Sequence, residues 1–268
     1  QPWGRRGIKR EQALYPAPRR RRGEPAARFD ARMRRELARF VERHAGTVGV
    51  VLVEPQSGSA LHGMPWPRDL LRFFATEARR AGMAVCCDEV MCGAARHGQG
   101  AVFLSDAWRV EPDAVVFGKG IGGGVHALAG AAVRGAPAEA RPPHGHTYAG
   151  ASALALDAGA ATLRELPQLH ERVAERGREC LLALRELREH EPRLSVAGQG
   201  LLWGLRWELE RPEDVERAQR ELRAACLARG VWPYFVRGGV LITPPLDVDG
   251  GQLAEALGRL REAVAAVR

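Results

Sequence analysis

Val48-Gly-Val-Val-Leu-Val53, running into Glu54-Pro55, and Met83-Ala-Val-Cys-Cys87, running into Asp88-Glu89, are two short apolar runs that each end on carboxylates. Runs this short and this rich in β-branched residues read as strands buried on both faces of a parallel sheet. Between them Pro67 opens a segment with Leu70, Leu71, Phe73, Phe74, Ala78 and Ala81 along one side, and Gly82 closes it. That spacing predicts an amphipathic helix. Strand, helix, strand at this length is a βαβ unit, wound right-handed, and it makes the chain an α/β protein.

The pattern extends in both directions. Upstream, Phe29, Met33, Leu37, Phe40 and Val41 recur at helical spacing until Gly46. Downstream, Ala114 to Phe117 supplies a strand ahead of Gly118-Lys119-Gly120, and Leu128 to Val133 another. After Gly150 an alanine-rich helix is expected to about Leu166, then a longer one through about His190. Leu194 to Val196 and Leu201 to Leu209 read as strands, followed by a helix from Pro212 to about Arg229. Val231 to Val236 and Val240 to Thr243 read as strands, and Leu253, Leu257, Leu260 and Val264 mark a last helix. The expected organisation is an irregular basic arm over 1–27, a large domain with a mainly parallel sheet over 28–166, and a smaller α+β domain over 167–268.

Composition narrows the function. The 268 residues are 46% hydrophobic, enough for a globular core, and no apolar run approaches the roughly 20 residues of a membrane helix. Five cysteines without paired spacing fit a reducing compartment, so the cytoplasm is the expected location. The formal charge of +8 comes from arginines spread over helix faces, so no nucleic-acid partner is expected. Of the 40 basic residues only Lys9 and Lys119 are lysine. Arginine stays protonated and cannot act as an amine nucleophile, whereas lysine can condense with a carbonyl. A lysine inside a glycine-rich turn therefore draws attention.

Ligands of open parallel sheets collect at the carboxyl ends of the strands, and those ends carry Glu54, Asp88 and Gly118-Lys119-Gly120. Asp88 and Lys119 read either as a structural ion pair or as a cofactor cradle. Gly118 to Gly123 also satisfies G-x-G-x-x-G, but Gly124 breaks the helix that a dinucleotide site requires. His144, His146, Cys86, Cys87 and Cys92 match no zinc spacing, and no metal is expected. Thr147 precedes a helix, whose free amides favour a phosphate.

Taken together, Val53-Glu54-Pro55, Cys87 to Gly93, Pro112-Asp113, Gly118-Lys119-Gly120, His146 to Gly150 and Pro244-Pro245-Leu246 resemble, in order and approximate spacing, the class III aminotransferases. The resemblance runs from about Val48 to the end. It implies the pyridoxal phosphate (PLP)-dependent transferase fold, fold type I, the fold of aspartate aminotransferase, and PLP as cofactor. Lys119 is then the residue that carries PLP covalently and shuttles the substrate proton. Asp88 pairs with the pyridine nitrogen, Val90 packs on the ring, and Thr147 reaches a cofactor phosphate of the neighbouring subunit in a homodimer.

The resemblance also implies a transaminase that moves an amino group from an amine or ω-amino acid to a keto acid such as pyruvate. An aminomutase or racemase on the same fold, and an inactive fragment, are the alternatives. Ser59 and about Leu241 stand where ornithine- and GABA-type members carry a glutamate–arginine gate. Tyr234-Phe235-Val236-Arg237 resembles a segment of ω-amino acid:pyruvate members, which makes Arg237 a candidate substrate-carboxylate ligand. Gly93 to Gly98 departs from the family's usual turn. The family's amino-terminal phosphate loop and ring-stacking aromatic are not found ahead of Lys119, so a truncated large domain is expected.

Overall fold

A computed structural model describes residues 13–21, 23–135 and 152–268. Thr147 and the His144-Gly145-His146 segment lie outside these residues, as does Lys9.

Among the described residues, the first half of the chain builds a four-stranded sheet with helices packed on one face. Helix α1 (Ala26–His44), strand β1 (Val50–Val53), helix α2 (Arg68–Arg80) and strand β2 (Ala84–Asp88) follow in order. The short helix α3 (Leu104–Ala107), strand β3 (Ala114–Phe117), a 3-10 turn over Lys119–Gly122 and strand β4 (Gly130–Val133) complete the unit. The sheet order is β1-β2-β3-β4. β1, β2 and β3 are parallel, as the βαβ reading requires, and β4 returns antiparallel with Ala114 opposite Val133.

Phe29, Met33, Leu37 and Val41 of α1 and Leu70, Leu71, Phe74 and Ala78 of α2 bury their stripes against Val51, Val53, Val85 and Cys87 of the sheet. Each Val, Leu, Met or Phe side chain among them contributes about 1.5–3 kcal/mol on burial. Trp66 stacks on Phe74 with ring centroids 5.8 Å apart and fixes the entry of α2.

The other face of this sheet differs from expectation. Val50 and Leu52 remain 54% and 55% exposed, so β1 alternates exposed and buried where burial on both faces was predicted. The apolar runs were composed for two covered faces, but among the described residues helices pack on one face only.

The second half forms an antiparallel sheet of order β5-β6-β8-β7, from β5 (Leu194–Gln199), β6 (Leu202–Trp207), β7 (Tyr234–Val236) and β8 (Gly239–Ile242). Helices α4 (Ala153–His190), α5 (Pro212–Ala228) and α6 (Gly250–Ala265) go with it. Val173, Cys180 and Leu184 of α4, Leu222 of α5 and Leu257 and Leu260 of α6 form its core with Leu205 and Val240.

Two helices were expected between Gly150 and His190, yet α4 runs unbroken for 38 residues with Pro167 inside it. Proline removes one N–H and strains the helix locally, and packing of the apolar stripe on both sides outweighs that cost. The expected domain limit at 166/167 thus falls within a continuous helix. Ser152 caps the amino end of α4 by accepting the Ala155 N–H at 3.2 Å.

Three polar contacts tie the two sheets together. Gln56 Nε2 donates to Gly63 O (2.9 Å) and Leu202 O (2.7 Å). His62 Nε2 donates to Arg237 O at 3.0 Å, and Arg96 Nη1 donates to Pro244 O at 2.7 Å. Gly204 is required at this seam, because a Cβ there would lie 1.9 Å from His62 O.

Candidate functional site

The carboxyl ends of β2 and β3 lie side by side, with Asp88 opposite Val116 in register. The chain turns sharply after each. Asp88 Oδ1 accepts the Val90 N–H at 3.1 Å, a local turn that sets the carboxylate's direction. Alternation along β2 puts Asp88 on the same face as Cys86, whose thiol is pushed up by burial and then by the Asp88 charge. Val90 borders the neighbouring turn: a Cβ on Gly118 would lie 3.7 Å from Val90 Cγ1.

Lys119 opens the 3-10 turn with φ +47°, a left-handed conformation that a residue with a Cβ adopts only under constraint. The constraint comes from both sides. Behind the turn, Gly123 (φ +62°) packs on α4 so closely that a Cβ would meet Thr162 Oγ1 at 2.5 Å. In front, the exposed Lys119 Nζ contacts Met91 Sδ, at the turn that follows β2. Met91 in turn packs on Gly58, whose N–H is held by Glu54 Oε2. The ends of all three parallel strands therefore converge on the lysine.

Glu89 takes no part in this convergence. It is 1% exposed, and its carboxylate accepts the Leu104 N–H (2.6 Å), the Ser105 N–H (2.8 Å) and the Ser105 hydroxyl. Burial pushes it above the usual carboxylate range against the pull of those donors. It is a buried cap for α3.

A cavity of about 870 Å3 opens beside the lysine, with Lys119, Arg96, Gly120, Thr162, Asp157 and Leu246 in its wall. Asp88, Val90 and Arg237 are not in that wall. Arg96 binds the Leu201 and Pro244 carbonyls rather than a carboxylate, and burial draws its guanidinium down to about 10. Arg237 sits exposed in the β7–β8 turn, and its carbonyl accepts from His62. The structure thus sets the Asp88–Val90 turn beside the turn that carries Lys119 and leaves Arg237 apart. Leu241 is a core residue of the second sheet. Among the described residues no group of three or more potential ligands for a metal ion occurs, and no helix is long and apolar enough to cross a membrane.

Arg96 and Met91 were missed as site residues by sequence reasoning. Arg96 stood out only as part of an altered turn, and no local signal marks a methionine as the neighbour of a lysine 28 positions away.

A primary amine and a carboxylate presented from adjacent strand ends fit an aldehyde-bearing cationic ring, and the Val90 side chain supplies an apolar surface beside them. Asp88 Oδ2 takes no hydrogen bond from the described residues, which leaves one acceptor for a ring N–H. The donor set on this chain fits PLP at those two contacts, and the phosphate contact expected of Thr147 lies outside the described residues.

The chain is 35% identical over 223 residues to an acetylornithine aminotransferase of Methanopyrus kandleri, covering 81% of this chain and 54% of the relative. It is 29% identical over 236 residues to a leucine/methionine racemase of Thermococcus litoralis, covering 84% and 52%. An (S)-enantioselective ω-transaminase from Thermomicrobium roseum superposes with a TM-score of 0.82 at 27% identity, over 91% of this chain and 57% of that one. The chain spans about half the length of the curated relatives it matches. The two sheets are the corresponding parts of fold type I, with part of the large domain represented. The profile of the family described as "Aminotransferase class-III" matches residues 7–264, and the chain belongs to that family.

Proposed function

We propose that this protein works in PLP-dependent transamination, moving an amino group from an amine or ω-amino acid to a keto acid such as pyruvate. The observation that carries the reading is the constrained Lys119, held at φ +47° beside the Asp88–Val90 turn at the end of the parallel sheet. Bound PLP would supply an electron sink for the substrate's α-carbon. Lys119 Nζ holds the cofactor and, when free, carries the proton from the α-carbon. Asp88 keeps a positive charge on the ring nitrogen, and Val90 keeps water from the ring face. The cavity beside Lys119 gives a substrate side chain room, and Arg237 remains a proposed carboxylate ligand that a closing motion would have to bring in.

The same reading includes a homodimer in which Thr147 of one subunit reaches the other's cofactor phosphate. The five free thiols favour the cytoplasm.

Racemisation is the second reading, favoured by the similarity to a racemase over 84% of the chain. Both use Lys119 and Asp88, so the test must follow nitrogen. Incubation with 15N-labelled alanine and an unlabelled keto acid is expected to place label in the new amino acid. Loss of chirality without transfer would replace transamination by racemisation, and absence of both would overturn both readings.

A further inference from the structure

A second polar centre lies where the arm before α1, the loop after β1 and the second sheet meet. A cleft of about 290 Å3 is lined there by Arg19, Arg20, His62, Ser195, Arg206 and Glu208, and it shares no residue with the cavity beside Lys119. Three guanidinium groups thus line the cleft with one carboxylate, and that carboxylate is already engaged. Glu208 Oε2 pairs with Arg206 at 3.2 Å, and Glu208 Oε1 accepts the Ser195 hydroxyl at 2.8 Å. Arg20 Nε donates to the Glu24 carbonyl. The Arg19 guanidinium makes none of the ion pairs found among the described residues, and burial and then the Arg206 charge draw it below its ordinary range.

His62 is the buried member of the group, 8% exposed and held at φ +53°. A residue with a Cβ keeps that backbone only where its surroundings over-determine it. Its Nε2 donates to the Arg237 carbonyl, so the neutral ring leaves Nδ1 as a bare acceptor. Nδ1 is enclosed and takes no hydrogen bond from the described residues. Burial first, and then the Arg206 and Arg19 charges, hold the imidazole below its ordinary range against the pull of the Arg237 carbonyl. An anion suited to this cleft therefore offers negative oxygens to the arginines and an O–H to Nδ1. Sulfate and carboxylates carry no such proton near neutral pH, and a phosphate monoester has lost its last one over most of its population. Hydrogen phosphate keeps one.

We propose that the cleft binds free hydrogen phosphate and so joins the arm to both halves of the molecule. The two negative charges of the ion offset the excess of two guanidinium groups, and its own O–H meets His62 Nδ1. The inference rests on this seam and not on the proposed reaction.

Inorganic phosphate is titrated calorimetrically into the full 268-residue chain at constant ionic strength, with sulfate and glycerol 3-phosphate in parallel. The expected result is saturable phosphate binding with a Kd below about 1 mM, at least about tenfold tighter than for either of the other anions. Arg19→Gln and Arg206→Gln are each expected to weaken it at least about tenfold. Arg261→Gln, an equal loss of charge from the exposed pair with Glu186, is expected to leave it within about twofold. His62→Gln keeps a donor for the Arg237 carbonyl but removes the ring acceptor, and is expected to erase the preference for phosphate over sulfate. Phosphate should also raise the thermal midpoint of the chain and of Arg261→Gln, and raise it less in the Arg19 and Arg206 variants. Sulfate or glycerol 3-phosphate binding as tightly as phosphate, or an affinity that both arginine variants leave unchanged, overturns the proposal. So does the absence of both saturation and a thermal shift at about 20 mM phosphate.

Discussion

Asp88 and Glu89 are consecutive at the end of β2, yet their carboxylates point to opposite sides of the sheet. Asp88 shares the open face with Cys86, while Glu89 is buried under three donors from Leu104 and Ser105. One peptide unit separates a group available for chemistry from a group committed to structure.

The two roles separate by mutation. Glu89→Ala leaves buried donors of Leu104 and Ser105 without acceptors and is expected to cost about 2–4 kcal/mol in urea denaturation. Asp88→Asn is expected to change stability by less than about 0.5 kcal/mol. The same variant should slow amino transfer by roughly 100-fold or more. Equal stability losses for both would contradict the opposite orientation.

Lys119 pays in backbone strain for its place in the turn. A glycine accepts φ near +47° without penalty, so Lys119→Gly is expected to be more stable than Lys119→Ala by about 1 kcal/mol, read as the difference in thermal midpoints without cofactor. Both variants should lose amino transfer. A glycine variant no more stable than the alanine one would mean that the turn is not constrained.

Arg96 joins the two halves of the molecule through the Leu201 and Pro244 carbonyls. Arg96→Ala removes both charged hydrogen bonds and is expected to cost about 3 kcal/mol, and Arg96→Lys about half of that, since an ammonium lacks the planar fork. Urea titration followed by tryptophan fluorescence checks both values.

His97 gives the stability a pH dependence. Burial lowers its imidazole from 6.5 to about 4. The folded state therefore excludes a proton that the unfolded state takes up, and the stabilisation is complete above pH 6.5 and lost as pH falls toward 4. Between pH 7 and pH 5 the contribution falls by about 2 kcal/mol. A His97→Gln protein is expected to lack that share of the decline, measured by urea melts at the two pH values. An unchanged slope would show that His97 titrates normally.

Much of this was legible from residue pattern alone. The βαβ unit followed from Val48 to Asp88 because apolar runs and an amphipathic stripe are local signals, and α1, α2 and the last two helices lie close to where their stripes place them. What depends on neighbours was not legible. Val50 and Leu52 carry the composition of a covered strand, and whether anything covers them is not a property of β1. Pro167 reads locally as a helix stop, but packing along α4 overrides it. The antiparallel return of β4 and the contact of Met91 with Lys119 are set by chain path, which residue type does not encode. Arg237 was picked out by a motif resemblance, and motif says nothing of which way the β7–β8 turn faces.

The central claim is that Lys119 is the residue that holds the cofactor, and borohydride reduction in the presence of PLP tests it directly. The protein is incubated with PLP, reduced, digested, and mapped by mass spectrometry. The account expects a stable pyridoxyl adduct on the peptide containing Lys119, absent in Lys119→Ala. An adduct at Lys9 alone, or none at position 119, would contradict it.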